Sequence, residues 1–357
     1  MSGSDPAGPS PPRPVPSPAD DAARAAGAQT PLVEVTYLEA IREAMRAEMR
    51  RDDRVFLLGE DIGVYGGAFK ITEGFLEEFG PDRVIDTPIS EAAIVGAAIG
   101  AAHMGLRPVA EMQFIDFIAP AFDMIVNFAA KSRYRTGIGA GLVIRGPCGG
   151  GARSGPFHSQ NVESYFANVP GLKMVAPATA RDAAGLLIAA IRDPDPVLYF
   201  EHKFLYRRVK EALPPGDEIV VPLGRARTHR PGDALTIVTW GAMVWKCAAA
   251  ADRIAAEDGA ECEVIDLRSL RPLDADAIVN GVRRTGRLLV VHEAPGFGGL
   301  AGEICAQVNE RAFEWLDAPV RRVTALDTPV PFAPTLEDWF LPQEEDIVAA
   351  ARWLLAY

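Results

Sequence analysis

Arg83–Phe114 reads RVIDTPISEAAIVGAAIGAAHMGLRPVAEMQF, and the fold turns on how this stretch divides. VID reads as a short strand, Ser90 as a helix N-cap, Glu91 to Met104 as a helix stopped by Gly105, and RPVAEMQF as a second strand. A strand, a helix and a strand in that order predict parallel pairing with the helix packed on the sheet. One acid, Glu91, stands at the mouth of this apolar helix. An acid in a first turn often does no more than complement the helix dipole, worth ~0.3–1 kcal/mol. Here it also stands at the carboxyl end of a strand, where open α/β sheets bind ligands. Its small apolar neighbours predict a desolvated carboxyl, and desolvation raises a pKa while the helix terminus pulls the other way. Such a group suits sharing a proton with a ring nitrogen. Gly96 and Gly100 behind it let another backbone approach, either within the chain or across a subunit interface, and both readings bury the helix.

The same alternation extends outward. TYLEAIREAMRAEMRRD has helical spacing, RVFLLGED is a buried strand and GFLEEFG a helix stopped by Gly80; GLVIRGP, KMVAPA and VLYFEH are further strands, with helices at FDMIVNFAAKSRYR and ARDAAGLLIAAIRD. RRVKEALPPGDEIVVPLG interrupts the pattern as a linker, after which ALTIVTWG, ECEVIDLR, RLLVVHEAP and RRVTALD resume it between helices. The predicted class is α/β, mostly parallel sheets with helices on both faces. The predicted division is a tail over 1–31, a first domain over 32–207, a linker over 208–224 and a smaller second α/β domain over 225–357.

A net charge of -12 over 357 residues excludes a surface built for nucleic acid or anionic membrane. The longest apolar run, Ala92 to Ala102, is too short to span a bilayer. Four cysteines without a CxxC pair fit a reduced, cytoplasmic protein. Residues 1–31 are rich in Pro, Ala, Ser and Gly and predict a disordered tail without the core of a secretory signal.

Two further motifs stand out. GPCGGGARSGPFHSQN, Gly146 to Asn161, is a glycine-rich loop carrying His158 and Cys148; a loop histidine is commonly a surface residue, and Cys148 has no partner identifiable by spacing. GFGGLA matches G-x-G-x-x-A through Gly296, Gly298 and Ala301, with Asp327 near the end of the next strand, and raises a nicotinamide-dependent oxidoreductase as the rival reading. It comes late in the chain, and a plain strand-to-helix turn serves equally. No GDG followed by a spaced Asn is present, so the chain lacks a thiamine-type magnesium and diphosphate anchor.

LGEDIGVYGGAFKITEGF, FGPDRVIDTPISEAAIVGAAIG, GLRPVAEMQFIDFIAPAFDMIVNFAAKSRYRTG, GPFHSQ, VPGLKMVAPATARDAAGLLIAAIRDPDPVLYFEHKFLYR, VIDLRSLRPLD and LDTPVPFAP occur in order from about Val35 to the C-terminus. Together they resemble the beta subunit of the thiamine diphosphate-dependent 2-oxo acid dehydrogenase decarboxylase component, a transketolase-like family. AEMQFIDFI, KSRYRTG and EHKFLYR look more like the branched-chain, 2-oxoisovalerate type than the pyruvate or acetoin type. The resemblance implies a transketolase-like pyrimidine-binding domain followed by a transketolase-type C-terminal domain. It implies that Glu91 bonds a nitrogen of the cofactor's aminopyrimidine and promotes removal of the thiazolium proton. Phe117 would pack on that ring, where branched-chain relatives often have Tyr, with Ile89 beside it; Gln113 and Glu60 would line the pocket. His158 would position intermediates and help pass the acyl group to a lipoyl arm. A structural potassium is implied at Ala140, Leu142, Val143, Ala190, Asp193 and Asp195, largely through backbone carbonyls. Magnesium and the diphosphate anchor would lie on an alpha subunit in an alpha-beta heterotetramer, with a lipoyl acyltransferase core as further partner and a 2-oxo acid as substrate. This chain alone would then be inactive.

Overall fold

The computed structural model describes residues 32–214 and 219–357; the tail assigned to 1–31 and the middle of the linker lie outside them. The first part runs β1 (Val33–Thr36), α1 (Tyr37–Arg51), β2 (Val55–Gly59), α2 (Phe75–Phe79), β3 (Val84–Asp86), α3 (Glu91–His103), β4 (Arg107–Glu111), α4 (Ser132–Thr136), β5 (Val143–Cys148), β6 (Lys173–Val175), α5 (Ala180–Arg192), β7 (Val197–His202) and β8 (Lys210–Leu213). The second runs β9 (Arg227–Arg230), β10 (Leu235–Thr239), α6 (Met243–Asp258), β11 (Cys262–Asp266), β12 (Ser269–Arg271), α7 (Ala275–Thr285), β13 (Leu288–Pro295), α8 (Leu300–Ala312), β14 (Arg321–Ala325), α9 (Pro334–Phe340) and α10 (Glu344–Leu355).

A seven-stranded sheet has the order β12-β6-β7-β5-β4-β2-β3, and a five-stranded sheet the order β14-β13-β10-β11-β9. Pairing is parallel throughout except at the edge strands β12 and β9, as expected where helices cover both faces. β2, β5, β7, β10 and β11 are buried along their whole length. Helix α1 begins where a capping box forms: Thr36 Oγ1 accepts from Glu39 N at 3.2 Å and Glu39 Oε2 accepts from Thr36 N at 2.8 Å. Its buried Leu38, Ile41, Met45 and Met49 follow the helical period.

Three local readings change. The expected helix over FDMIVNFAAKSRYR is helical but not regular: a π-helical segment at Met124–Ala129 leads to the short α4, ended by Gly137 at φ 77, and a 3₁₀ segment at Ile115–Ala121 precedes both. Pro120 lies in that preceding 3₁₀ segment, where it has no N–H to give. The linker is not wholly unstructured: β8 pairs antiparallel with β1, Val33 opposite Leu213. The boundary between the two parts is not clean either, because β12 leaves the second part to pair antiparallel with β6, Ser269 opposite Val175. Among the described residues no helix is long and apolar enough to cross a membrane, and the four cysteines are free.

Candidate active site

In the first sheet the chain steps from β2 outward to β3, then crosses back over β2 to β4. Such a reversal opens a crevice between the carboxyl ends of β2 and β4, where open α/β sheets take ligands. Glu60 follows β2, Glu91 follows β3, Gln113 and Phe117 follow β4, and His158 lies in the loop beyond β5. Five of the residues singled out in the sequence therefore leave the same sheet edge on four neighbouring loops.

Glu60 is 7% exposed. Desolvation, then the neighbouring charges of Glu91 and Asp61, hold its carboxyl above the usual range, against a hydrogen bond from the Ser90 backbone N–H. Ser90 takes the N-cap position, but its hydroxyl makes no capping bond. Gln113 Nε2 donates to Asp61 Oδ2 at 3.4 Å across the crevice. Asp61 holds φ 56, an unusual conformation for a residue with a side chain. Gly63 N donates to Asp86 Oδ1 at 2.7 Å, tying the β2 and β3 loops together.

The β4 and β5 loops meet through rings. His158 stands edge-on to Phe114 at 4.6 Å and to Phe117 at 5.4 Å between centroids. Behind them, buried Asp116 accepts from the Gln160 backbone N–H at 3.1 Å and from Gln160 Nε2 at 2.9 Å. That contact locks the segment bearing Phe117 to the segment bearing His158.

The expected burial of Glu91 is not met by this chain. Glu91 is half-buried, Ile89 is 82% exposed, and Ala92, Ala93, Ala97 and Gly100 are exposed on α3. A Cβ at Gly100 would meet open space and one at Gly96 only an ordinary contact with Met124 Sδ at 3.6 Å. Packing among the described residues therefore requires neither glycine, and none of the described residues dries the open side of the acid.

Sequence reading missed the floor of the crevice. Arg145 on β5 is 1% exposed and lies between Glu111, ending β4, and Glu201 on β7. Its guanidinium pairs with Glu111 and doubly with Glu201, which also accepts from Tyr206 Oη at 2.7 Å. Burial pushes the Glu111 carboxyl up while Arg145 pulls it down, and it stays above its ordinary value. The signal was present: VIRGP, PVAEM and YFEH each place one charge near the end of an apolar strand.

Residues 33–209 match the family model for the transketolase pyrimidine binding domain and residues 224–347 that for the transketolase C-terminal domain. The chain is 47% identical to the 2-oxoisovalerate dehydrogenase subunit beta of Bacillus subtilis, over 90% of its own length and 99% of that protein's. It is 44% identical to the pyruvate dehydrogenase E1 component subunit beta of Rickettsia felis, over 91% and 99% of the two chains. This chain belongs to the E1 beta subunits of the 2-oxo acid dehydrogenases. A solved split-gene transketolase, an inactive beta4 tetramer, shares the fold at TM-score 0.73 and 24% identity, over 90% of this chain and 98% of that one.

An E1 beta assignment displaces the nicotinamide reading, and the second sheet gives the physical reason. Its crevice lies between the carboxyl ends of β10 and β13, where the order again reverses. The first part fills it: Glu293 on β13 accepts from Gly150 N at 2.6 Å, from Asn161 Nδ2 at 3.0 Å and from His202 Nε2 at 2.9 Å, and Trp240 Nε1 donates to Glu163 at 3.2 Å. The remaining cavity of about 20 Å³ holds roughly one water. Burial alone would raise the Glu293 carboxyl, but His202 and the converging N–H groups outweigh it and hold it at about 2. At GFGGLA, a Cβ on Gly296 would sit 2.8 Å from Thr324 Oγ1 and one on Gly299 2.7 Å from the His292 ring. Those glycines make room for the chain's own side chains. Gly298, at φ 67, serves the turn itself.

A thiamine half-site would fit what this edge offers: a raised acid beside a second acid, and an aromatic wall. Among the described residues, no group of three or more His, Cys, Asp or Glu is arranged to hold a metal ion. Two of the segments implied for potassium pack against each other. A Cβ on Gly139 would lie 2.2 Å from the Pro194 carbonyl and one on Gly141 3.0 Å from the Asp193 carbonyl, so only glycine lets the 139–142 and 193–195 turns meet. Val143 brings no side-chain oxygen, and Arg107, Lys173 and Arg133 already supply positive charge to Asp193 and Asp195.

Proposed function

We propose that this chain is the beta half of a thiamine diphosphate-dependent decarboxylase acting on a branched-chain 2-oxo acid such as 2-oxoisovalerate. An alpha subunit completes the site in an alpha-beta heterotetramer, and the acyl product passes to a lipoyl domain of an acyltransferase core. The observation that supports this most is the half-open edge at β2 and β4, where Glu60, Glu91, Gln113, Phe117 and His158 gather around an acid that this chain leaves partly wet. When bound, the cofactor supplies the nucleophilic carbon and the electron sink for loss of carbon dioxide.

Glu91 would hold a proton at the aminopyrimidine ring nitrogen, with the raised Glu60 carboxyl nearby. Phe117 and Ile89 would cover the ring and exclude water from that hydrogen bond, Gln113 would fix the crevice wall through Asp61, and His158 would stand over the reacting carbon. Magnesium and diphosphate would be held by the alpha subunit. Potassium would sit on the carbonyls of Ala140, Leu142, Val143, Ala190, Asp193 and Asp195 and tie the start of β5 to the turn after α5. Four free cysteines agree with a cytoplasmic setting.

The test is reconstitution with the cognate alpha chain. Cofactor binding and turnover should require both chains, and 2-oxoisovalerate should give a higher kcat/KM than pyruvate. Full activity of this chain alone would end the shared-site reading. A preference for pyruvate would move the chain to the pyruvate type that its 44% identity to the Rickettsia felis subunit keeps close.

A further inference from the structure

The loop carrying His158 is tied at its far end to Asp116 of the first part, but its glycine-rich run is held from the second part of the chain. Between β5 and His158 the backbone enters the left-handed region at Gly149, Gly151 and Gly155, φ 84, 79 and 71, and at Arg153, φ 61. A segment so rich in glycine has high conformational entropy and orders only if its N–H groups find firm acceptors. Two buried acids supply them. Glu293 takes Gly150 N–H at 2.6 Å. Glu337 on α9, 0% exposed, takes Gly151 N–H at 2.9 Å, Arg153 N–H at 3.2 Å and Arg153 Nη1 at 3.0 Å. Arg153 then closes over the outside, donating from Nη1 to the Pro334 carbonyl at 2.9 Å and pairing through Nη2 with Asp338 at 2.7 Å. A Cβ at Gly155 would lie 2.2 Å from the Phe332 ring, so the loop presses directly on the second part three residues before the histidine.

We propose that Glu337 is a positioning residue for His158: one carboxylate from the C-terminal part clamps the glycine loop and thereby fixes where the imidazole stands beside Phe114 and Phe117. The proposal rests on the reading of His158 given above. Bonds from three N–H groups to a single buried carboxylate stiffen successive residues at once, which a neutral acceptor would do more weakly. Arg153 is the outer arm of the same clamp, and its unfavourable φ is sustained by that pairing.

The experiment uses the reconstituted alpha-beta complex with wild type, Glu337→Ala, Arg153→Ala, His158→Ala and the double variant Glu337→Ala/His158→Ala. Decarboxylation with an artificial electron acceptor and acyl transfer to a lipoyl domain are measured separately, and hydrogen exchange is followed over residues 149–158. Expected are faster exchange over that segment in Glu337→Ala, a fall in kcat on the order of ten-fold with KM for the 2-oxo acid little changed, a smaller fall for Arg153→Ala, and no further loss when Glu337→Ala is added to His158→Ala. Losses that multiply in the double variant would overturn the proposal, as would wild-type rates with Glu337→Ala while His158→Ala is impaired. Wild-type rates with His158→Ala would instead remove the reading of the histidine. Should Glu337→Ala fail to fold, Arg153→Ala and its double with His158→Ala carry the same comparison, since Arg153 is exposed.

Discussion

The two sheets repeat one design and use it oppositely. Around β2 the parallel order is β3-β2-β4-β5, and around β10 it is β11-β10-β13-β14, so each has its first strand inside and its chain reversal in the same place. Each reversal opens a crevice at the carboxyl edge. The crevice at β2/β4 stays open, with a half-exposed acid and an exposed apolar helix face beside it. The crevice at β10/β13 is filled by the loop and strand ends of the first part, and its acid is fully paired. Topology makes a place for a ligand; whether a ligand or the chain's own loop takes it depends on what the neighbouring segments deliver there.

Exchanging the acids should separate the two most strongly. Glu91→Gln is expected to lower turnover of the reconstituted complex by about 10²–10⁴-fold, the range of a lost proton-transfer group, with the melting temperature nearly unchanged. Glu293→Gln should act chiefly on stability, with a smaller fall in turnover through the Gly150 loop that carries His158. It loses the charge that three donors converge on, so it should destabilise the fold by about 1–3 kcal/mol while leaving the Glu91 chemistry in place. Near-normal turnover in Glu91→Gln, or a stability loss there matching that of Glu293→Gln, would erase the contrast.

Next comes the floor beneath the open crevice. Arg145→Leu leaves Glu111 and Glu201 buried without their shared cation, and breaking a buried pair on one side costs about 3–5 kcal/mol. Urea denaturation at neutral pH should register the loss. Lowering the pH should recover part of it, because the stranded carboxyls can then protonate. A variant as stable as wild type would mean that this floor is held by packing alone.

Much of the open crevice was legible in sequence and little of the filled one was. VID, the small-residue helix after Glu91 and RPVAEMQF each declare themselves within a few residues, so local pattern sufficed to place Glu91 at a sheet edge, while Gln113 and Phe117 were singled out through the family resemblance. The clamp on Gly150 and Gly151 joins residues to Glu293 and Glu337, far along the chain, and only the folded topology brings them together. β12 and the β1–β8 pair were missed for the same reason, since edge strands of three and four residues take their conformation from the partner. The desolvation expected of Glu91 was read from its own helix, yet burial is decided by whatever covers it.

The mildest effect should come from Glu163, which sits in the filled crevice under Trp240. Burial raises its carboxyl to about 7, partly offset by hydrogen bonds that include the Trp240 indole N–H. A group whose folded pKa lies above its unfolded value stabilises the fold below the unfolded pKa, and that contribution is lost as pH rises through the folded pKa. Wild type should therefore lose stability between about pH 4.5 and 7 through this site, and Asp266, raised to about 7 mainly by burial and then by Asp182, acts in the same direction. Glu163→Gln keeps an acceptor for the indole and removes the titration. It should unfold at a higher denaturant midpoint than wild type at pH 8, by about 1 kcal/mol, the net worth of one such group, with the difference shrinking toward pH 4.5. Equal midpoints at both pH values would mean that water reaches Glu163, and the second crevice would then be only a narrower version of the first.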